Sequence, residues 1–176
     1  MKTKILLLLF MVSGYHTSAQ KIIIKGKETD RQLFWKDFTG APDNNSTFWA
    51  FTSWNLKYNY GTQMQGDSFV IKNYELTLQL NPETSWVKKG KESDYLLAHE
   101  QGHFDLGIIC MREILKKQSE TTVTRENYKT VLGDIFQEKL KKFKALGALY
   151  DKETEHSKNR QEQEKWNQYF LENLSK

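Results

Sequence analysis

SDYLLAHEQGHFDLGIICMREILKK, residues 93–117, is the most informative stretch of the sequence. Its apolar and histidine positions recur every three or four residues, which predicts one long helix from about Asp94 to about Lys117, capped by Ser93 or Asp94. The recurring positions are Leu96, His99, His103, Leu106, Cys110 and Ile114. Both histidines are therefore predicted to lie on the stripe that faces the core.

The two histidines are four residues apart, and Glu100 follows the first directly. On a helix, positions four apart differ by about 40° in direction and about 6 Å in height, so His99 and His103 can reach one zinc ion. Glu100 points about 100° away from His99, where its carboxylate can accept a proton from a water beside the ion. The bare pattern also occurs by chance in unrelated helices. Two partnerless histidines on a buried stripe would be costly, however, and this favours a metal. Gly102 predicts close approach of another segment.

A zinc site of this kind needs a third protein ligand. His16 lies within residues 1–19, which are interpreted below as a signal peptide. His99, His103 and His156 are therefore the histidines of the chain that remains after cleavage. His156 lies in LYDKETEHSKN, residues 149–159, a turn-forming stretch that can fold back over the first helix. The residues leave carboxylates of the second helix open as alternatives, namely Glu126, Asp134 and Glu138.

The amino-terminal half has a different pattern. Apolar and polar residues alternate over 54–60 and 74–80, which predicts half-buried antiparallel strands. A turn is predicted between Gly61 and Gly66, and Pro82 is expected to end the last strand. The tryptophans of this half are Trp35, Trp49, Trp54 and Trp86. We expect them in the core rather than lining a substrate cleft, because aromatic residues in alternating strands are usually buried.

Two more amphipathic helices are predicted, over residues 125–146 and 159–174. No repeat or linker separates the halves, so residues 20–176 are predicted to form one α+β domain, with an antiparallel sheet followed by a helical half. Cys110 is the only cysteine of the chain and cannot form an internal disulfide. We interpret it as a buried core thiol.

Residues 1–19 are typical of a secretory signal peptide. Lys2 and Lys4 precede the apolar run Ile5–Val12, and small residues precede a cut between Ala19 and Gln20. The run is too short for a membrane anchor, which needs roughly 20 apolar residues. Cleavage removes two lysines from a net charge of +4 and leaves about 157 residues with a charge of +2. Such a weak surplus argues against a nucleic-acid partner.

Three stretches together resemble a known bacterial family. They are FWKDFTGAPD at residues 34–43, LLAHEQGHFDLG at residues 96–107 and YDKETEHSKNRQEQEKWN at residues 150–167. They are similar to the landmarks of the family called domain of unknown function 922, whose members are described, by prediction, as secreted zinc-dependent proteases. In that family the histidine of the third stretch is often followed by glycine, whereas in this chain His156 is followed by Ser157.

The resemblance implies a zincin-like hydrolase that acts on polypeptides. Its zinc ligands would be His99, His103 and His156, and Glu100 would be the general base. Tyr150 and Asp151 become candidates for polarising the scissile carbonyl or orienting a ligand, although Tyr150 can equally pack in the core as the helix ends. Two alternatives remain open: an exported binding protein with a structural zinc, and a hydrolase of cell-wall amides.

Overall fold

The computed structural model describes residues 19–175, so all but the last residue of the predicted signal peptide lies outside the described residues. The described chain is α+β, as predicted, with a mixed sheet followed by three helices. In chain order the elements are β1 (Ala19–Ile24), β2 (Lys27–Glu28), a 3₁₀ turn (Trp35–Asp37), β3 (Ala50–Phe51), β4 (Trp54–Gln65), β5 (Ser68–Leu80), β6 (Trp86–Val87), α1 (Asp94–Ser119), α2 (Tyr128–Thr154) and α3 (Arg160–Leu174).

The main sheet has the strand order β2-β1-β5-β4, and β3 pairs with β6 in a separate two-stranded sheet. The prediction of a purely antiparallel sheet is wrong at β1, which pairs in parallel with β5, Ile22 lying opposite Leu78. Alternation of apolar and polar residues reports which face a side chain occupies. Because that alternation is the same for both strand directions, it carries no information about direction.

The hairpin of β4 and β5 is longer than predicted. Its tight turn contains Gly66, which has a positive φ of 60°, whereas Gly61 lies within β4 at a shift in register. The predicted runs at residues 69–71 and 74–80 are therefore parts of one strand. That strand ends at Leu80, ahead of Pro82, as predicted.

The core lies between the β4–β5 hairpin and α1. Leu76, Leu78 and Leu80 alternate inward from β5 and are fully buried. Gly107 allows α1 to approach the sheet, because a Cβ there would lie 2.8 Å from Leu78 Cδ1. Cys110 is fully buried, as predicted, and burial raises the pKa of its thiol to about 12.

The tryptophans do not share one environment. Trp86 is buried, and Trp35 and Trp54 are partly buried against the core. Trp49 is exposed, so the prediction of a core position is wrong for this residue. The ammonium groups of Lys91 and Lys158 lie 4.6 and 5.6 Å from the centroid of its ring.

Helix α1 begins as predicted, since Ser93 Oγ accepts a hydrogen bond from the backbone N–H of Leu96. Helix α2 continues beyond the predicted end near residue 146 to Thr154, and this places Tyr150 and Asp151 on a helix rather than in a loop. Asn159 caps α3 by accepting from the backbone N–H of Glu162. Among the described residues, no helix is long and apolar enough to cross a membrane.

Candidate metal centre

Three imidazoles meet one carboxylate oxygen where α1 and α2 cross. Asp151 Oδ1 lies 3.2 Å from His99 Nε2, 3.0 Å from His103 Nε2 and 3.1 Å from His156 Nδ1. His99 and His103 come from successive turns of α1, and Asp151 comes from the last turns of α2. The structure therefore brings all three predicted ligands to one point and adds a fourth donor there.

His156 reaches this point from a tight turn that ends α2. Glu155, His156 and Ser157 have consecutive positive φ values of 49°, 51° and 74°. Such values cost non-glycine residues on the order of 1 kcal/mol each, so surrounding contacts must hold the turn. The backbone N–H of His156 donates to the carbonyl of Asp151 at 2.9 Å, and its ring packs on Phe48 with centroids 4.0 Å apart. The left-handed φ of Ser157 is a conformation that glycine adopts more readily than other residues.

The spacing of the donors suits a metal ion. The ligand atoms of His99, His103 and Asp151 all lie within 4.8 Å of one another. Bonds of 2.0–2.1 Å place neighbouring ligands of a tetrahedral zinc roughly 3.3 Å apart, close to the separations of 3.0–3.2 Å between Asp151 Oδ1 and the imidazole nitrogens. Imidazole nitrogen and carboxylate oxygen are both zinc ligands. The residues present therefore fit the metal that the sequence predicts.

Asp151 and His103 influence each other's protonation. Burial alone would raise the pKa of Asp151, but hydrogen bonds with His103 and His99 outweigh it and hold that pKa well below its usual range. Burial opposes protonation of His103, yet the hydrogen bond to Asp151 and the charge of that carboxylate raise the pKa of the imidazole. Each of these two groups therefore favours the charged form of the other.

Helix α3 supports His99 from behind. His99 Nδ1 lies 3.0 Å from Gln163 Oε1, and Gln163 Nε2 donates to the hydroxyl of Tyr150 at 2.7 Å. The Tyr150 hydroxyl donates in turn to the carbonyl oxygen of His99 at 3.1 Å. These three contacts form a closed hydrogen-bond network of His99, Gln163 and Tyr150. His99 itself is buried.

Tyr150 is fully buried, and burial raises the pKa of its hydroxyl. Its hydroxyl makes the two hydrogen bonds described above, accepting from Gln163 Nε2 and donating to the carbonyl oxygen of His99. Gly102 creates the space for it, because a Cβ at that position would lie 2.5 Å from the Tyr150 hydroxyl and 2.8 Å from Phe170 Cε2. The predicted close approach at Gly102 is confirmed. Of the roles considered for Tyr150, this environment matches core packing and support of a ligand.

Glu100 lies beside the histidines and is buried. Thr52 Oγ1, which follows β3, donates to Glu100 Oε2 at 2.6 Å and lies 3.2 Å from the carbonyl oxygen of the same residue. Burial raises the pKa of Glu100, while the neighbouring His103 and His99 and the Thr52 hydrogen bond oppose that rise. Glu100 lines a small pocket together with His99, His103 and His156. The carboxylate is therefore positioned next to the four donors.

A larger cleft opens at the same place. It has a volume of about 430 Å³, and both His103 and Asp151 form part of its wall. Most of the remaining wall is apolar and comes from α1, α2, β3 and the start of β4. It includes Phe51, Trp54, Leu106, Leu140, Phe143 and Gly147. The cluster of donors is thus open to a groove of a size that accommodates large side chains.

The structure separates the remaining candidates. The carboxylates considered as alternative ligands are Glu126, Asp134 and Glu138, and all three lie on the exposed surface.

Sequence reasoning missed Thr52 and Gln163. Gln163 lies in the third landmark stretch, where a buried amide among charged residues was the available signal. Thr52 gave no signal, because its role depends on how β3 lies against α1.

The chain belongs to a family of bacterial proteins. The model of the family described as "Bacterial protein of unknown function (DUF922)" matches residues 24–157, which include every donor of the metal centre. No curated protein and no solved structure matches the chain significantly. Helix α3, and with it Gln163, lies beyond the matched residues.

Proposed function

We propose that this protein is a zinc-dependent hydrolase of peptide bonds. The observation that carries the proposal is the meeting of three imidazole nitrogens at Asp151 Oδ1, directly beside the buried carboxylate of Glu100. A cluster of donors with an adjacent general base is the arrangement that metal-assisted hydrolysis requires.

The ligands from α1 are His99 and His103. Geometry favours Asp151 as the third, because its oxygen forms the compact group with both imidazoles, whereas His156 joins through Asp151 and its side chain is 34% exposed. The sequence favours His156 in that role. In our proposal Asp151 completes the ligand set, and His156 faces the pocket, where it can donate a hydrogen bond to substrate.

Zinc bound at these residues would supply Lewis acidity toward water or a carbonyl oxygen. The chain supplies the proton transfer. Thr52 donates to Glu100 Oε2, which fixes the carboxylate and leaves Oε1 as the oxygen that accepts a proton from the attacking water. The C–O bond forms as Glu100 takes this proton, and Glu100 then returns the proton to the leaving nitrogen as the C–N bond breaks.

A polypeptide is the substrate that suits the neighbouring cleft. The cleft lies against His103 and Asp151 and has largely apolar walls, so a large apolar side chain can occupy it while the adjoining carbonyl reaches the centre. Signal-like residues 1–19 support action outside the cytoplasm. Amino-terminal sequencing of the exported chain should then begin at Gln20, and an intact leader would contradict the export proposal.

One observation favours a second candidate, an exported binding protein with a structural zinc. Four donors meet at this point, and a zinc that all four enclosed would have no open position for catalysis. The two functions differ in a countable property, which is the number of protein ligands. X-ray absorption at the zinc edge should detect a non-protein oxygen for a hydrolase and none for a closed structural site.

The decisive variant is Glu100→Gln. Glutamine keeps the shape of the side chain and an oxygen that can accept from Thr52, but it cannot accept the proton from water. We expect about one zinc per chain, as in the parent, and a loss of hydrolysis of denatured polypeptide of at least roughly 100-fold. Glu113→Gln is the matched control on α1, since Glu113 pairs with surface lysines far along the helix.

Each result of that experiment has a definite meaning. Full activity in Glu100→Gln would remove Glu100 as the base. No chelator-sensitive activity in the parent on polypeptide, together with a closed zinc shell, would favour the binding protein. Activity on peptidoglycan fragments alone would reassign the substrate to cell-wall amides.

A further inference from the structure

Hydrogen bonds link His99 to side chains of α3, and the donor and the acceptor of each can be assigned in order from the protein surface inward. We infer that Gln163 is a positioning residue that holds a proton on His99 Nδ1 and so directs the lone pair of Nε2 to the metal centre. The inference rests on the proposed function only in naming zinc as the ion. Gln163 belongs to α3, beyond the residues that match the family model.

The chain of contacts starts at Glu164. An ionised carboxylate can only accept hydrogen bonds, and Asn167 Nδ2 lies 3.2 Å from Glu164 Oε2. The amide nitrogen of Asn167 must therefore face Glu164, and its oxygen must face Gln163. Asn167 Oδ1 is therefore the acceptor in the contact with Gln163.

The orientation of the Asn167 amide determines that of the Gln163 amide, which in turn contacts His99. Its Nε2 has two hydrogens, and it donates one to Asn167 Oδ1 at 3.0 Å and the other to the Tyr150 hydroxyl at 2.7 Å. Its Oε1 is then the atom that faces His99 Nδ1 at 3.0 Å. Because an amide oxygen only accepts, His99 Nδ1 must carry the hydrogen.

The consequence appears on the other side of the imidazole ring. With the hydrogen on Nδ1, a neutral imidazole presents a lone pair at Nε2, and Nε2 lies 3.2 Å from Asp151 Oδ1. Two acceptors at this distance repel unless a proton, as in the hydrogen bond described above, or a metal ion lies between them. The network therefore prepares a place for a cation before any metal arrives, and it selects the tautomer that a zinc ligand needs.

The same network explains the burial of Gln163, whose residue is only 1% exposed. A buried amide is costly unless its donors and acceptor are matched, and here each has a partner. Leucine or methionine would fill the same space without polar atoms. The amide is thus accounted for by its hydrogen bonds and by the orientation that it imposes on His99.

The test uses mature protein, residues 20–176, and measures two properties other than activity. Long-range ¹H–¹⁵N NMR of zinc-free parent protein, at a pH where histidine is neutral, should show His99 protonated at Nδ1. Chelator competition with Zn²⁺ alone should then show roughly 10- to 100-fold weaker binding for Gln163→Met. Gln163→Glu keeps an acceptor toward His99 and should recover most of the affinity. Gln168→Met, at an exposed position of α3, is the control and should bind as the parent does.

The outcomes separate this inference from the proposed function. His99 protonated at Nε2 in the zinc-free parent would overturn it, even if Gln163→Met failed to fold. Parent-like zinc affinity and tautomer in a folded Gln163→Met would also overturn it. If both measurements agree with the inference while the parent hydrolyses no substrate, the positioning role stands and the hydrolase proposal fails.

Discussion

His99 and His156 meet the same carboxylate oxygen, yet the fold holds them very differently. His99 is buried within α1, and its Nδ1 and its backbone carbonyl contact α3 and α2. His156 lies on a left-handed turn, is one-third exposed, and packs on one ring, that of Phe48. One histidine is fixed by several elements and the other by a local turn.

This contrast has a functional meaning. A ligand that must hold a metal permanently benefits from a fixed orientation, because an ordered donor loses less entropy on binding. A side chain that contacts substrate must be accessible. This difference in burial is the reason why our proposal assigns His99 to the metal and His156 to the solvent-accessible pocket.

The largest effects are expected when each donor is replaced in turn. Replacing His99 with alanine should weaken zinc binding by roughly 100-fold or more, since even the supporting partners of a ligand account for 10- to 100-fold. Asp151→Ala should have a comparable effect. His156→Ala should have a smaller effect on zinc affinity and a larger one on turnover. Chelator competition and peptide hydrolysis measure the two quantities.

Reversal of that order would revise the ligand set. If His156→Ala loses the metal while Asp151→Ala retains it, His156 is the third ligand, as the sequence predicts. Equal losses for all three histidines and Asp151 would indicate a closed, structural site.

The next prediction concerns the space that the fixed side needs. Gly102→Ala would place a Cβ 2.5 Å from the Tyr150 hydroxyl, and both Tyr150 and its neighbour Phe170 are buried with little room to move. We expect a lower free energy of unfolding by about 1–3 kcal/mol and weaker zinc binding, because Tyr150 also contacts His99. Urea unfolding measures the first effect. Gly133→Ala on α2 meets no atom within 4 Å and should instead stabilise by up to about 1 kcal/mol. An equal gain at both positions would exclude the packing role of Gly102.

The smallest expected effect lies further along α1. Burial raises the pKa of Asp105 to about 6, against 3.8 in an exposed carboxyl, although Gln101 and Arg31 oppose the rise. Between pH 4 and 6 the folded state holds this proton more tightly than the unfolded state does, so ionisation lowers stability as the pH rises. Asp105→Asn should remove that loss and be more stable than the parent at pH 7 by about 1–2 kcal/mol. The advantage should vanish near pH 4. Urea titrations across this range would refute the assignment if the difference did not depend on pH.

The sequence predicted what depends on local periodicity. The bounds of α1, its Ser93 cap, the α+β order and the buried Cys110 all followed from spacing and residue type. The parallel pairing of β1 did not, because strand direction leaves no trace in alternation. The extension of α2 past Gly147 did not either, because contacts of the buried Tyr150 with other helices hold its last turns.

Helical spacing in the sequence brings His99, Glu100 and His103 together on neighbouring turns of α1, and the scarcity of histidines made His156 a candidate. The surroundings of these residues depend on tertiary contacts. Asp151 reaches the centre because α2 extends to it, and Gln163 reaches it because α3 folds back after the turn at His156. Contacts between residues about 50 or more positions apart are set by the packing of whole helices, which no local pattern records.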